Sequence, residues 1–92
     1  MKYKIVIEKR VEKDTARIPA HDKANIDQAI LSLATDPRPH GCKKLTDREG
    51  YRIRVGNYRI LYTIDDETQV VVVYRIKIRL NMCFRVLSNQ QI

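Results

Sequence analysis

The residues of this chain best suited to chemistry are arginines and lysines set at every second position. Arg52 and Arg54 alternate with Tyr51, Ile53 and Val55, and Arg59 sits among Tyr58, Ile60, Tyr62 and Ile64. Arg75, Lys77 and Arg79 follow in the run that begins at Val70. Successive side chains of an extended strand point to opposite faces, so each segment has one apolar and one cationic face. Gly56-Asn57 reads as a hairpin turn, because both residues tolerate positive φ. Paired antiparallel in order, the segments would bury Tyr51, Ile53, Val55, Tyr58, Ile60, Tyr62 and Ile64 with Val70, Val72, Tyr74, Ile76 and Ile78. Val71, Val73, Arg75, Lys77 and Arg79 would lie with the arginines on the other face. A single strand of this kind is a solvated face. Three of them with no acid interleaved repel one another across the sheet and cost stability unless an anion lies there.

The chain's 92 residues supply one core and predict a single domain over 1–92. The formal charge is +7, and no acid follows Glu67 while Arg75, Lys77, Arg79 and Arg85 do. This asymmetry favours a polyanionic partner, either nucleic acid or the acidic surface of another protein. Cys42 and Cys83 have neither metal-ligand spacing nor a CxxC pattern, so a reducing cytoplasm is expected. No leader is expected ahead of the charged Lys2–Ile7 segment, and nothing approaches the ~18 apolar residues of a membrane span. No membrane partner is predicted.

Lys2 to Glu8 alternates as a first strand, with Tyr3, Ile5 and Ile7 on its buried side. Lys9 to Ile18 reads as a short helix stopped at or before Pro19. A second helix starts around Asp22, read as its N-cap, and carries Ile26, Ala29, Ile30, Leu33 and Ala34 as a stripe facing the sheet. Asp36-Pro37-Arg38-Pro39 ends it. His40 to Gly50 reads as a loop anchored by Leu45, with Lys43 and Lys44 either plainly solvated or extending the cationic rim. Asp65-Asp66-Glu67 is a turn, and the segment after Leu80 is either a strand extension or a short helix.

This order, an N-terminal strand, a two-helix hairpin and a three-stranded antiparallel meander in one α+β sheet, resembles the RelE/ParE superfamily of toxin–antitoxin toxins. The likeness spans residues 3–79. It is carried by Asp36-Pro37-Arg38-Pro39 with Gly41, by Lys43-Lys44-Leu45, by Tyr51-Arg52-Ile53-Arg54-Val55-Gly56-Asn57-Tyr58-Arg59-Ile60-Leu61-Tyr62, and by Val71-Val72-Val73-Tyr74-Arg75-Ile76-Lys77. The central hairpin looks more like the RelE branch than the ParE branch. The resemblance implies a ribosome-dependent endoribonuclease that cleaves messenger RNA in the ribosomal A site, without metal or cofactor. A RelB-like antitoxin, the ribosome and mRNA are the implied partners. In this reading the 2′-hydroxyl of one nucleotide attacks the next phosphate while cations stabilise the charge that develops, a task suited to placed positive groups.

By that resemblance Arg52 and Arg54 match positions that face RNA, Arg59 the arginine on the scissile phosphate, and Arg79 the basic residue after the third strand. Lys43, Lys44, Arg75 and Lys77 would bind RNA backbone. The chain departs from its relatives beyond Lys77. Ile78 stands where His is common, Leu80 where a second basic residue is common, and Cys83 where a Tyr is expected. A thiol can in principle transfer a proton, and loss of proton transfer, a contribution of about 10²–10⁴-fold, would leave an attenuated or inactive toxin that keeps the RNA-binding platform. His21 and His40 fall at no family position and are expected on the surface. Three readings therefore stay open: an mRNA interferase, full or attenuated; an inactive RelE-fold protein that binds RNA, ribosome or antitoxin; and a ParE-type gyrase inhibitor, which rests on fold alone.

Overall fold

The computed structural model describes residues 2–78. The expectations for Arg79, Leu80, Cys83 and the segment after them lie outside the described residues. Seven elements follow in the order β1 (Lys4–Ile7), α1 (Lys9–Thr15), α2 (Ala20–Ser32), β2 (Lys43–Lys44), β3 (Tyr51–Val55), β4 (Tyr58–Asp65) and β5 (Val70–Ile78). They form one mixed five-stranded sheet of order β1-β5-β4-β3-β2, with β1 parallel to β5 and every other pairing antiparallel.

The helices cover one face of this sheet. Ile26, Ile30 and Leu33 recur at helical spacing on α2 and are buried with Val11 of α1 and Ile18. Against them stand Ile53 of β3, Ile60 and Tyr62 of β4, and Val71, Val73 and Ile76 of β5. Asp22 is not the N-cap expected for α2. The helix starts two residues earlier, with Pro19 ahead of it and Lys23 N–H donating to the Pro19 carbonyl at 2.9 Å. Proline fixes φ in the range a helix entry accepts, which moves the start forward. Asp22 falls in the first turn, and its carboxylate accepts from the Tyr58 hydroxyl at 3.2 Å.

The buried side of the first strand is also less extensive than the alternation predicts. Ile5 is half-buried, but Ile7 is 49% exposed, because β1 is an edge strand that reaches only as far as Val73 of β5. The stretch read as a loop from His40 to Gly50 contains β2, which extends the sheet by pairing Lys43 with Arg52 and Lys44 with Tyr51. Gly50 makes this possible. Its φ is +132°, and a Cβ there would stand 2.9 Å from the Tyr62 carbonyl oxygen. Gly56 alone takes positive φ in the hairpin turn, at +59°.

The largest correction concerns β5. Val70 and Val72 do not face the core; Val71 and Val73 do, followed by Ile76. The register explains it. Tyr62 pairs with Val73 while Leu61 pairs with Arg75, leaving Tyr74 as an extra residue, a β-bulge. The bulge reverses the alternation once, so that both halves of β5 turn apolar side chains inward.

Candidate functional site

Directly paired residues in a sheet share a face, so the register fixes which cations meet. Arg54, Arg59 and Lys77 stand opposite one another across three strands. One step along, Lys43, Arg52, Leu61 and Arg75 form a second row across four. Residues two apart on a strand lie about 6.6 Å apart, so the rows are neighbours. The expected platform is present, with Lys43 belonging to it through β2. Lys44 is exposed and lines the same cavity as Lys43, at its rim.

A cavity of about 620 Å³ opens over the second row, lined by Arg10, Lys43, Arg52, Arg59, Tyr74 and Arg75 among others. A smaller one of about 280 Å³ adds Gly41 and Arg54. Lys43, Arg52 and Arg59 line both, so the two cavities are halves of one groove. Among the described residues the ion pairs are Arg10–Glu8, Lys23–Asp27, Arg38–Asp66 and Arg75–Asp14. Of the cations lining the two cavities Arg10 and Arg75 are paired, while Lys43, Lys44, Arg48, Arg52, Arg54, Arg59 and Lys77 make no ion pair among the described residues, with Asp47 the acid that lines the larger cavity beside them. Among the described residues Arg59 Nε and the Tyr74 hydroxyl are buried without a hydrogen-bond partner, and both belong to residues lining the groove. A buried donor left unpaired costs about 1–3 kcal/mol. Like-charge rows and unpaired donors together describe a surface suited to an anion.

Sequence reasoning did not single out Arg10, Asp14 or Tyr74. Strict alternation puts Tyr74 in the core, and it is buried, but the bulge also sets it among the residues that line the groove. Arg10 and Asp14 lie four residues apart on α1, a spacing that places both on one helix face. His21 and His40 are exposed, as expected, and line neither cavity.

The groove is held up from behind by polar contacts of the Pro-rich turn. The Tyr62 hydroxyl donates to the Pro37 carbonyl at 2.8 Å, and its ring stacks on Tyr51 at 6.1 Å. Burial is the main reason the Tyr62 phenol is pushed well above its ordinary range. Arg38 grips Asp66 with both Nη atoms at 2.9 and 3.4 Å, and donates through Nε to Tyr51. Tyr3 donates to the same carboxylate at 2.7 Å. Hydrogen bonds from Arg38, and then from Tyr3, hold the Asp66 carboxyl below its ordinary value, and the bond to Asp66 raises the Tyr3 phenol in turn. Burial first and Asp22 second raise the Tyr58 phenol. Among the described residues no helix is long and apolar enough to cross a membrane.

Two helices on one face of a mixed sheet, with an open cationic groove on the other, define a RelE-like α+β protein. Residues 5–81 match the ParE toxin of type II toxin–antitoxin system, parDE. A Methanocaldococcus jannaschii protein named "Putative toxin RelE1" is 30% identical over 83 residues, covering 86% of this chain and 92% of that protein. A chain of the archaeal RelE–RelB complex from Pyrococcus horikoshii has a TM-score of 0.78 at 25% identity, covering 88% of this chain and 99% of that one. For the toxin–antitoxin complex RelBE2 from Mycobacterium tuberculosis the TM-score is 0.76 at 28% identity, with 88% and 95% covered. The chain belongs to the RelE/ParE superfamily and is a toxin of the type II toxin–antitoxin kind. The matched family is named for ParE and the relatives for RelE.

Proposed function

We propose that this toxin is an mRNA interferase of the RelE kind, which cleaves messenger RNA in the ribosomal A site of the cytoplasm and is held in check by a RelB-like antitoxin. The observation that carries this reading is the pair of cation rows, Arg54–Arg59–Lys77 and Lys43–Arg52–Leu61–Arg75, lining one groove in which Arg75 alone of the row cations has an ion pair among the described residues. In the reaction the 2′-oxygen bonds to the adjacent phosphorus, the bond from phosphorus to the 5′-oxygen breaks, and the 2′ proton is lost as the leaving oxygen gains one. Negative charge gathers on the phosphoryl oxygens, where fixed guanidinium groups act with little reorganisation. Arg59, shared by both halves of the groove, is assigned to the scissile phosphate. Arg52 and Arg54 flank it, with Arg79 as the fourth catalytic cation and Cys83 as the proton-transfer group. Lys43, Lys44, Arg75 and Lys77 bind backbone.

The experiment is cleavage of a defined messenger on ribosomes stalled with an empty A site, for the unaltered chain and for Arg59→Ala. Cleavage that disappears with Arg59 supports the interferase. Ile78, at the end of β5 where relatives carry His, favours a second reading in which the groove binds without cutting. Ribosome binding retained with no cleavage by either chain would establish that reading instead. The ParE name of the matched family motivates one further assay. Supercoiling by gyrase that proceeds undisturbed at saturating toxin removes gyrase inhibition.

A further inference from the structure

β1 pairs with β5 only from Lys4↔Val70 to Ile7↔Val73, so among the described residues the outer edge of β5 beyond Val73 has no strand beside it. This is the segment that contains the bulge, Arg75 and Lys77. Its edge is nevertheless covered. The Glu8 N–H donates to the Val73 carbonyl at 2.9 Å, Arg10 Nε donates to the Tyr74 carbonyl at 3.0 Å, and the Ile76 N–H donates to Asp14 Oδ2 at 3.0 Å. The spacings match. Four residues of helix rise about 6 Å, and two residues of strand advance about 6.6 Å, so Arg10 and Asp14 reach successive outward-facing groups of β5.

We infer that Arg10 and Asp14 are positioning residues of the cationic groove, whose side chains replace the missing strand partner of β5 and hold the bulge in the phase that turns Arg75 and Lys77 toward Arg52 and Arg59. Two further contacts join the same pieces. Asp14 Oδ2 also accepts from Arg75 Nε at 3.2 Å, and the Arg10 guanidinium lies 5.7 Å from the centre of the Tyr74 ring. Asp14 is the more telling of the two because its two effects on the groove have opposite signs. Its charge offsets Arg75, which weakens the groove for anions. Its acceptor oxygen fixes the strand, which assembles the groove. The importance for function rests on the reading of the groove as a polyanion site; the edge-capping role does not.

The test compares Asp14→Ala with Asp14→Asn in the full chain. Asparagine keeps an acceptor for the Ile76 N–H and removes the charge; alanine removes both. Amide hydrogen exchange at Ile76 should accelerate on the order of ten- to a hundredfold in Asp14→Ala and stay near the unaltered rate in Asp14→Asn. Affinity for a short single-stranded oligouridylate should fall several-fold with alanine, and should hold or rise with asparagine. A purely electrostatic role predicts that both substitutions tighten binding, so alanine binding as tightly as asparagine would overturn the proposal. Unchanged Ile76 exchange in Asp14→Ala would overturn it as well. Should Asp14→Ala fail to fold, Arg10→Ala is set against Arg10→Lys, which restores a donor for the Tyr74 carbonyl. Exchange at Ile76 that is equally fast in both would then refute the inference. Loss of oligouridylate binding by every chain, the unaltered one included, would count against the polyanion reading while the exchange comparison still judges the edge.

Discussion

Replacing Arg54 by threonine should make the chain more stable and a poorer ligand for a polyanion. Arg54 is exposed and stands directly opposite Arg59. With the two guanidinium groups spread to roughly 8 Å in a water-like medium, 332/(80 × 8) gives about 0.5 kcal/mol of repulsion. That value falls within the ~0.2–1 kcal/mol typical of a cross-strand pair. Threonine suits a half-buried strand, so the substitution removes the charge without penalising the backbone. A gain of about 0.5 kcal/mol corresponds to a rise in Tm of about 2–4 °C for a domain of this size. Thermal unfolding followed by circular dichroism at low ionic strength measures it. At about 1 M salt the screening length drops to about 3 Å, and the difference should vanish. Adding an oligouridylate in excess should reverse the order, because a ligand stabilises most the chain that binds it best. A Tm that falls or stays level at low salt would refute the reasoning, as would a rise that survives at about 1 M. In the first case Arg54 and Arg59 do not strain the sheet; in the second the gain is not electrostatic.

Tyr62→Phe should cost about 1–3 kcal/mol, because the buried Pro37 carbonyl loses its donor; a urea midpoint within a few tenths of a kcal/mol of the unaltered chain would contradict this. Asp66 binds protons less readily in the folded chain than its ordinary value of 3.8 implies, so its contribution is complete above that value and lost as pH falls through the lower folded value. The Tm advantage over Asp66→Asn should therefore be constant above about pH 5 and shrink below about pH 4, and an advantage that persists unaltered at about pH 2 would show that the carboxylate carries none of it. If Cys83 acts as the base that takes the 2′ proton, the cleavage rate should rise with pH until the thiol is ionised and then level off. Cys83→Ser should be slower by about 10²–10⁴-fold and show no plateau, whereas an unchanged profile would remove Cys83 from the chemistry.

The cationic platform was legible in the sequence because Arg52, Arg54 and Arg59 alternate with residues that can only be core, and a slip by one residue would bury three guanidinium groups. The stripe of α2 was legible for the same reason, as Ile26, Ile30 and Leu33 bury completely or nearly so. What was hidden depended on contacts between distant segments. Lys43 joins the second row only because Gly50 lets the loop close against Tyr62, and nothing in Lys43-Lys44 itself signals a strand. Asp14 and Arg10 read as surface residues of a polar helix, since their partners are backbone groups more than sixty positions away.

The bulge at Tyr74 shows most clearly where alternation stops being informative. Arg75 and Lys77 must face away from the core, and strict alternation carried back from them puts Val70 and Val72 inside. The turn dictates the opposite. It pairs Asp65 with Val70 and Ile64 with Val71, and since Ile64 shares the core-facing side of β4 with Tyr62 and Ile60, Val71 and Val73 must follow it inward. The two phases conflict, and they meet in Val70-Val71-Val72-Val73, four identical residues that accept either one. A sequence of this kind carries no signal of its phase. One extra residue resolves the conflict, and Tyr74 is the place where it costs least, because among the described residues no strand on the outer edge beyond Val73 has to follow the distortion. Side chains of a helix can follow it. The valine run hides the bulge, the bulge turns the cations outward, and the end of β1 at Ile7 leaves the room in which α1 holds them there.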